Sequence, residues 1–412
     1  MRKPMVIALL VLLVAGIAAT ADKVELVWYH CCGQKERNDT FNSWAEEFEN
    51  QNPNITIKSI NPPGSYNTVL PTTLAAGAGP DVFWAGIAVW RFVDFLMPLD
   101  DLYENDPAFK EILPVMREAF RWNGKIVSVP FGVNVHTIFY NKDLLAESGL
   151  TMPRDWDWDT AIAMAKQLTR DRDGDGETDQ WGLTLIDRLH ALTYGGDVYS
   201  SDGRRVMIEN PATIKGMQII ADFLNGTSGV EHSPSVLANN QSALLNGQLA
   251  MGNRGVFDLP IWRDRANFDW DVTMYPKIVV DGKDYRSAYF SPETWSICSY
   301  TKHPEEAKKF LSFLLQKEQM MEFGKLGAVV PTQPSVAVRA FLNAKEPANL
   351  RAFTDMLSYW KNNQWAHPAN IIFESMPPWH EIRNGTMPAA TGVAELARLA
   401  NAQLDEYWAR RE

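Results

Sequence analysis

The sequence predicts an α/β protein of two lobes, and three observations lead there. The chain has 412 residues, too many for one ordinary core and too few for several. Short strand signals alternate with helix signals through the first third, and a second such set follows in the middle. No stretch between the sets reads as a flexible linker, so the chain should pass between lobes within ordered segments.

In order, Val24 to Tyr29 is a short strand. Phe41, Trp44, Ala45 and Phe48 follow at helical spacing, with Asn38 or Asp39 as a cap and Pro53 as the stop. Ile55 to Ile60 returns as a strand, and Asp81 to Trp84 is another after Gly77 and Gly79, which makes a parallel strand-helix-strand unit. Further on, Ile138 to Tyr140 ends a strand, and Trp158, Ala161, Ile162, Ala165 and Leu168 form a helix stripe. Asn210-Pro211 opens a helix in the favoured order of cap and first-turn proline. Trp295 to Cys298 is strand-like, Pro304 opens a helix ending at Gly324, and Val393 to Trp408 supplies the last helical stripe.

Composition narrows the function. Hydrophobic residues make up 46% and charged residues 22%, which is globular and excludes a collagen-like, coiled-coil or mostly disordered chain. A formal charge of −11 with no basic stripe argues against nucleic acid. Arg2 and Lys3, the apolar run from Val6 to Ala15, and Ala19-Thr20-Ala21 read as a secretory signal over residues 1–21, cleaved near Ala21. The competing reading, a membrane anchor, has only a minimal span and no basic stop-transfer group. Loss of Arg2 and Lys3 takes the charge from −11 to −13, which suits a freely soluble periplasmic or extracellular protein with no membrane span in the mature chain.

Several landmarks occur in a fixed order: Val27-Trp28-Tyr29-His30, then Phe41 to Asn54; Gly79-Pro80-Asp81-Val82-Phe83-Trp84; and Tyr140-Asn141-Lys142-Asp143-Leu144. Tyr194-Gly195-Gly196, Asn210-Pro211, Asn246-Gly247 to Gly252, His303 to Leu315 and Leu326 to Pro331 complete the set. With these the chain resembles the extracellular solute-binding proteins of ATP-driven (ABC) importers, of the maltose-binding type that takes sugars and oligosaccharides. The resemblance covers nearly the whole mature chain. It implies a type II periplasmic-binding-protein fold: two lobes of mostly parallel sheets flanked by helices, joined by three crossings. Lobe one would be 22–132 plus 291–328, lobe two 136–288 plus 332–412, with crossings at 133–135, 289–290 and 329–331. It also implies a partner permease with its cytoplasmic ATPase, and a monomer is expected.

A sugar presents apolar C–H faces and a rim of hydroxyls, so its site needs aromatic plates and planar polar groups in a cleft. The 15 Trp residues are a rich supply. Trp84 ends a strand, where ligand sites of open parallel sheets lie. Trp379 follows Pro377-Pro378 and is expected on a loop; Trp295 follows a crossing; Phe257 and Trp262 follow the break at Gly252 and Gly255. The resemblance places Trp84, Phe257 and Trp379 where maltose-type binders stack sugar rings, and Tyr194 joins the set through its landmark. The plain alternative for any of them is core packing, to which Trp28, Trp44, Trp158 and Trp408 are assigned.

Among polar groups, His30, Gln34 and Lys35 follow the first strand, where members of the family often bind hydroxyls. Arg254, Asp258 and Glu293 would add hydroxyl or charge contacts, or stand as surface charges. Cys31-Cys32 departs from the family pattern; a vicinal disulfide, two free thiols, or a bond to Cys298 all remain open. No cofactor is expected for function. Asp171, Asp173, Asp175, Glu177 and Asp179, with Gly176 at the sixth position, reproduce most of a calcium loop, although Gly182 stands where a bidentate Glu belongs. A structural Ca²⁺ and a plain acidic turn are the two readings.

Two rivals to a sugar receptor remain. A binder of glycerol-3-phosphate or a glycerophosphodiester would need Arg254 or Lys35 facing the cleft. A secreted carbohydrate-active enzyme would need a carboxylate pair from Asp258, Glu293, Glu374 and Glu381. The chain has no nucleophile elbow, zinc helix or phosphate loop, so a non-catalytic receptor is the expectation.

Overall fold

The computed structural model describes residues 23–31, 35–184, 189–230, 233–344, 346–360, 367, 369 and 371–411. The apolar leader at 1–21, Cys32 and Gln34 lie outside the described residues.

Thirteen strands are formed by the described residues: β1 Val24–Tyr29, β2 Ile55–Ile60, β3 Val82–Trp84, β4 Arg121–Trp122, β5 Lys125–Ile126, β6 Val129–Asn141, β7 Trp181–Thr184, β8 Leu249–Gly255, β9 Trp270–Thr273, β10 Ile278–Val280, β11 Lys283–Tyr285, β12 Phe290–Ile297 and β13 Val330–Pro331. The main sheet runs β2-β1-β3-β12-β6-β8-β7, with β13 and β9 also on β6. The expected parallel units stand at its two ends, β2-β1-β3 and β8-β7. The middle is antiparallel because β12 and β6 run back between the lobes. Two α/β lobes therefore share one long strand.

That strand explains how the lobes connect. From Val129 to Val135, β6 pairs with β12, while Gly132 and Val133 also pair with β13. From His136 onward it pairs with β8 and β9 instead. Gly132 permits the close packing here, since a Cβ on it would fall 2.7 Å from the Val329 side chain.

Aromatic burial dominates the first lobe. The Lys35–Gln51 helix turns Phe41, Trp44 and Phe48 inward onto Trp28, Phe310, Phe323 and Trp295. Phe131 stacks on Trp295 at 4.8 Å and 13°. This helix begins at Lys35, ahead of the expected cap at Asn38 or Asp39. The helix expected to run from Pro304 to Gly324 is two, Pro304–Leu314 and Lys317–Leu326, the second ending at a left-handed Gly327 (φ +69°). In the second lobe, Asn141, Asp157 and Asn210 cap the Lys142–Glu147, Trp158–Leu168 and Pro211–Leu224 helices through their side chains. A separate cluster joins Met217, Ile220 and Ala221 to Ile382, Val393, Leu396 and Leu404 of the Pro377–Arg383 and Ala389–Ala409 helices.

Candidate ligand cleft

Trp84 stands at the end of β3 with three restraints. Its Nε1 donates to Glu293 Oε2 at 2.6 Å, and Tyr66 Oη donates to its carbonyl at 2.7 Å. The Tyr66 ring meets the indole edge-on at 5.5 Å. Gly86 (φ +54°) leaves room for the indole, since a Cβ there would lie 2.4 Å from it. Arg37 Nη2 donates to the same Glu293 oxygen at 2.8 Å, making a buried ion pair. His30 is buried against Ser59 Oγ at 3.1 Å; burial first, then Arg37, lowers its pKa to about 4, so the ring is neutral.

On the second lobe, Arg254 at the end of β8 donates through Nε to Asp258 at 2.6 Å and through Nη1 to Asn240 at 3.1 Å. Gln241 donates to the other Asp258 oxygen at 3.0 Å. Burial raises the Asp258 pKa against the opposing pull of Arg254. Phe257 is half-buried next to Gly255, where a Cβ would come within 2.4 Å of its ring.

Between the lobes lies a cavity of about 520 Å³, within the size range of small-ligand sites. Trp90 and Trp122 line it from the first lobe; Tyr199, Arg204, His367 and Trp408 line it from the second. Trp122 stacks on Trp408 at 5.7 Å and 19° across the gap, and Trp90 stands 6.0 Å from Trp122. The Arg204 guanidinium lies over Trp408 at 4.6 Å. Trp122 owes its place to a two-residue turn, Asn123 (φ +46°) and Gly124 (φ +76°), joining β4 to β5. His367 accepts from Ala369 N through Nδ1 at 3.0 Å, so its proton sits on Nε2, and burial lowers its pKa to about 4. Both Arg411 terminal nitrogens donate to Asp94, at 3.0 and 2.6 Å, tying the end of the last helix to the first lobe.

The residues singled out from sequence divide sharply. Trp84, Phe257, Arg254, Asp258, Glu293 and His30 stand as just described. Lys35 is exposed and paired with Asp39 at 2.5 Å. Four aromatic assignments are corrected. Trp295 is sealed among Trp28, Phe41 and Phe131, because its position on β12 faces the first-lobe helices. Trp262 is sealed against Phe139, Phe268 and Trp270. Tyr194 is buried and accepts from Trp158 Nε1 at 2.8 Å. Trp379 lies in the second-lobe cluster; Pro377 and Pro378 start a helix, as first-turn prolines can, and its third residue turns inward. Trp408, assigned to packing, does pack half-buried against the second-lobe cluster, and it also lines the cavity. Trp90, Trp122, Tyr199, Arg204 and His367 were missed; the Asn-Gly turn beside Trp122 was the available signal, since a Trp next to a tight turn is poorly placed for a core.

The acidic loop is exposed, and it brings carboxylate oxygens of Asp171, Asp173 and Asp179 within 4.8 Å of one another. Asp175 and Glu177 stand outside that trio; Asp175 accepts from Glu177 N at 2.8 Å. Asp171 accepts from Gly174 N and Gly176 N at 2.6 and 2.8 Å, which lowers its pKa. The glycine at the twelfth position has a packing cause. A Cβ on Gly182 would fall 2.0 Å from the Ala165 carbonyl, so no Glu fits there. As for the cysteines, Cys31 is disulfide-bonded and Cys298 is free and buried.

Two α/β lobes on one shared strand, with aromatic walls facing each other across a cavity, define a two-lobed binding-protein fold. The chain belongs to the bacterial extracellular solute-binding protein family, whose model matches residues 34–321. It is 25% identical over 263 residues to a maltotriose-binding protein of Pyrococcus abyssi, a match spanning 63% of this chain and 55% of that one. It is 23% identical over 377 residues to a multiple sugar-binding protein of Streptococcus mutans, covering 84% and 83% of the two chains. In fold it is similar to an ABC substrate-binding protein of Listeria monocytogenes solved with cycloalternan, with TM-score 0.75, 22% identity, and 94% and 100% of the chains covered. Among the described residues no helix is long and apolar enough to cross a membrane.

Proposed function

We propose that this protein is a non-catalytic receptor that binds a neutral sugar or oligosaccharide between its lobes and hands it to an ABC import permease driven by a cytoplasmic ATPase. The supporting observation is the cavity walled by Trp90 and Trp122 on one lobe and Trp408 on the other. Flat apolar plates, with Asn123, Ser201 and Asp202 also lining the cavity, match the faces and hydroxyls of a sugar. Closure is favoured only by contacts made to both lobes at once. The sugar-binding names of the Pyrococcus and Streptococcus relatives support the same ligand class.

The cations that a phosphate ester was expected to use, Arg254 and Lys35, speak against it. Arg254 is matched by Asp258, Lys35 by Asp39 and Arg37 by Glu293, so each already has a carboxylate. The same pairings speak against a glycosidase, because Asp258 and Glu293 are each bound to an arginine, while Glu374 is exposed. The lobe boundaries given above, export with cleavage near Ala21, and a monomeric state belong to this reading. So does a structural Ca²⁺ on Asp171, Asp173 and Asp179, a hard cation suited to oxygen ligands.

The test is a thermal-shift and calorimetric screen of the purified chain over neutral oligosaccharides, sugar phosphates and glycerophosphodiesters. One-to-one binding of a neutral oligosaccharide, recovered unchanged and bound equally at low and high salt, is expected. Binding confined to the anionic ligands, or turnover of the sugar, would overturn the proposal.

A further inference from the structure

We propose that the last turn of the chain is an interlobe latch: Arg411 pairs with Asp94 of the first lobe and holds the two lobes together beside the cavity before any ligand arrives. Only its effect on affinity rests on the sugar-binding reading above. Each partner stands about one turn beyond a tryptophan of the cavity wall. Asp94 follows Trp90 in the short Gly86–Phe95 helix, and Arg411 follows Trp408 just past the end of the Ala389–Ala409 helix. Latch and walls are therefore coupled. The lobe arrangement that pairs Arg411 with Asp94 is the one that sets Trp122 on Trp408 at 5.7 Å.

An exposed ion pair contributes little when two long side chains must be ordered to make it. Three features set this pair apart. The Arg411 terminal nitrogens each take a different Asp94 oxygen, at 3.0 and 2.6 Å, the bidentate geometry that gives such pairs strength and direction. The guanidinium is placed in advance: it lies over the Tyr407 ring at 4.7 Å, and the Arg411 backbone N–H donates to the Trp408 carbonyl at 2.9 Å. Asp94, with its short side chain, stands on a fixed mount. Its neighbours Phe92 and Val93 are buried in the core, and the Phe95 carbonyl accepts from Ser299 N at 2.8 Å. The partners lie 317 residues apart on different lobes, so the pair forms only when the lobes stand together. A contact present in one arrangement and lost in the other shifts the balance between them by its own strength. For a well-ordered exposed pair that shift is about two- to fivefold.

Double electron–electron resonance on the ligand-free chain tests the latch. Nitroxides are carried on p-acetylphenylalanine, which leaves the cysteines untouched, at the exposed Glu46 of the Lys35–Gln51 helix and Ala163 of the Trp158–Leu168 helix. Wild type should be dominated by one short interlobe distance. Asp94→Asn and Arg411→Gln should each raise the ratio of a longer-distance population to the short one by about two- to fivefold. The swapped variant Asp94→Arg/Arg411→Asp should return the distribution toward wild type, with melting temperatures alike throughout. Calorimetric affinity for maltotriose should fall in each single variant by up to the same factor and recover in the swap. Unchanged distances in both single variants, a shift to shorter distances, or a swap as loosened as the single variants would overturn the proposal. Should wild type bind no sugar at all, the functional reading fails, and the distance distributions still decide the latch.

Discussion

Replacing Trp408 with Ala removes the second-lobe plate of the cavity. The indole now stacks on Trp122 at 5.7 Å and 19°, inside the range where aromatic pairs are worth about 0.5–1.5 kcal/mol beyond area burial. A ligand ring stacked on the same plate is worth about 1–3 kcal/mol by analogy with other planar ligands on aromatic side chains. The Arg204 contact at 4.6 Å lies within the second lobe, so its loss affects folding and not closure. Binding should therefore weaken by about 1–3 kcal/mol, roughly 5- to 150-fold. Stability should change little, because Trp408 is only partly buried and the helix is anchored by Val393, Leu396, Ala400 and Leu404. Calorimetry with the best oligosaccharide from the screen, beside a thermal melt of ligand-free protein, gives both numbers. Affinity within about twofold of wild type in a folded Trp408→Ala protein would refute the reasoning.

Burial should grade the tryptophans: Trp295→Ala should lower unfolding free energy by about 3–5 kcal/mol in denaturant titration, and Trp84→Ala, at a half-buried ring, should cost less; equal losses would contradict the grading. Acid should destabilise the fold between about pH 6.5 and pH 4, because His30 and His367 take up protons near 6.5 when unfolded but only near 4 when folded. Each histidine contributes a slope of about 1.4 kcal/mol per pH unit in that window, present above it and lost as pH falls. Urea titrations of wild type and His30→Gln at pH 7 and pH 5 check this, and equal wild-type stability at the two would contradict it. Calcium should raise the melting temperature of chelator-treated protein but leave Asp171→Asn unmoved, and a shift in both would place any ion elsewhere.

Periodicity revealed most elements of the fold, because helices such as Trp158–Leu168 and Ala389–Ala409 carry an unbroken apolar stripe and their strands are bounded by turn residues. It could not show that β6 runs 13 residues through both lobes, since a strand buried along nearly its whole length has no alternation to read. Of the expected site residues, Trp84 does stand at its strand end and Arg254 near the end of β8, but neither lines the cavity between the lobes. Trp295 and Trp379 were misread because local sequence says only that a ring leaves the backbone, and not which layer lies opposite. Trp408 was read correctly as continuing the helical stripe that packs on its own cluster, but its second contact, with Trp122, is a long-range one that periodicity cannot show.

The central claim is that one neutral sugar is gripped by both lobes at once. Nuclear Overhauser contacts between a bound oligosaccharide and selectively labelled indoles test it most directly. The account predicts contacts from the same ligand to Trp122 on the first lobe and Trp408 on the second; contacts to neither ring, or to one lobe alone, would contradict it.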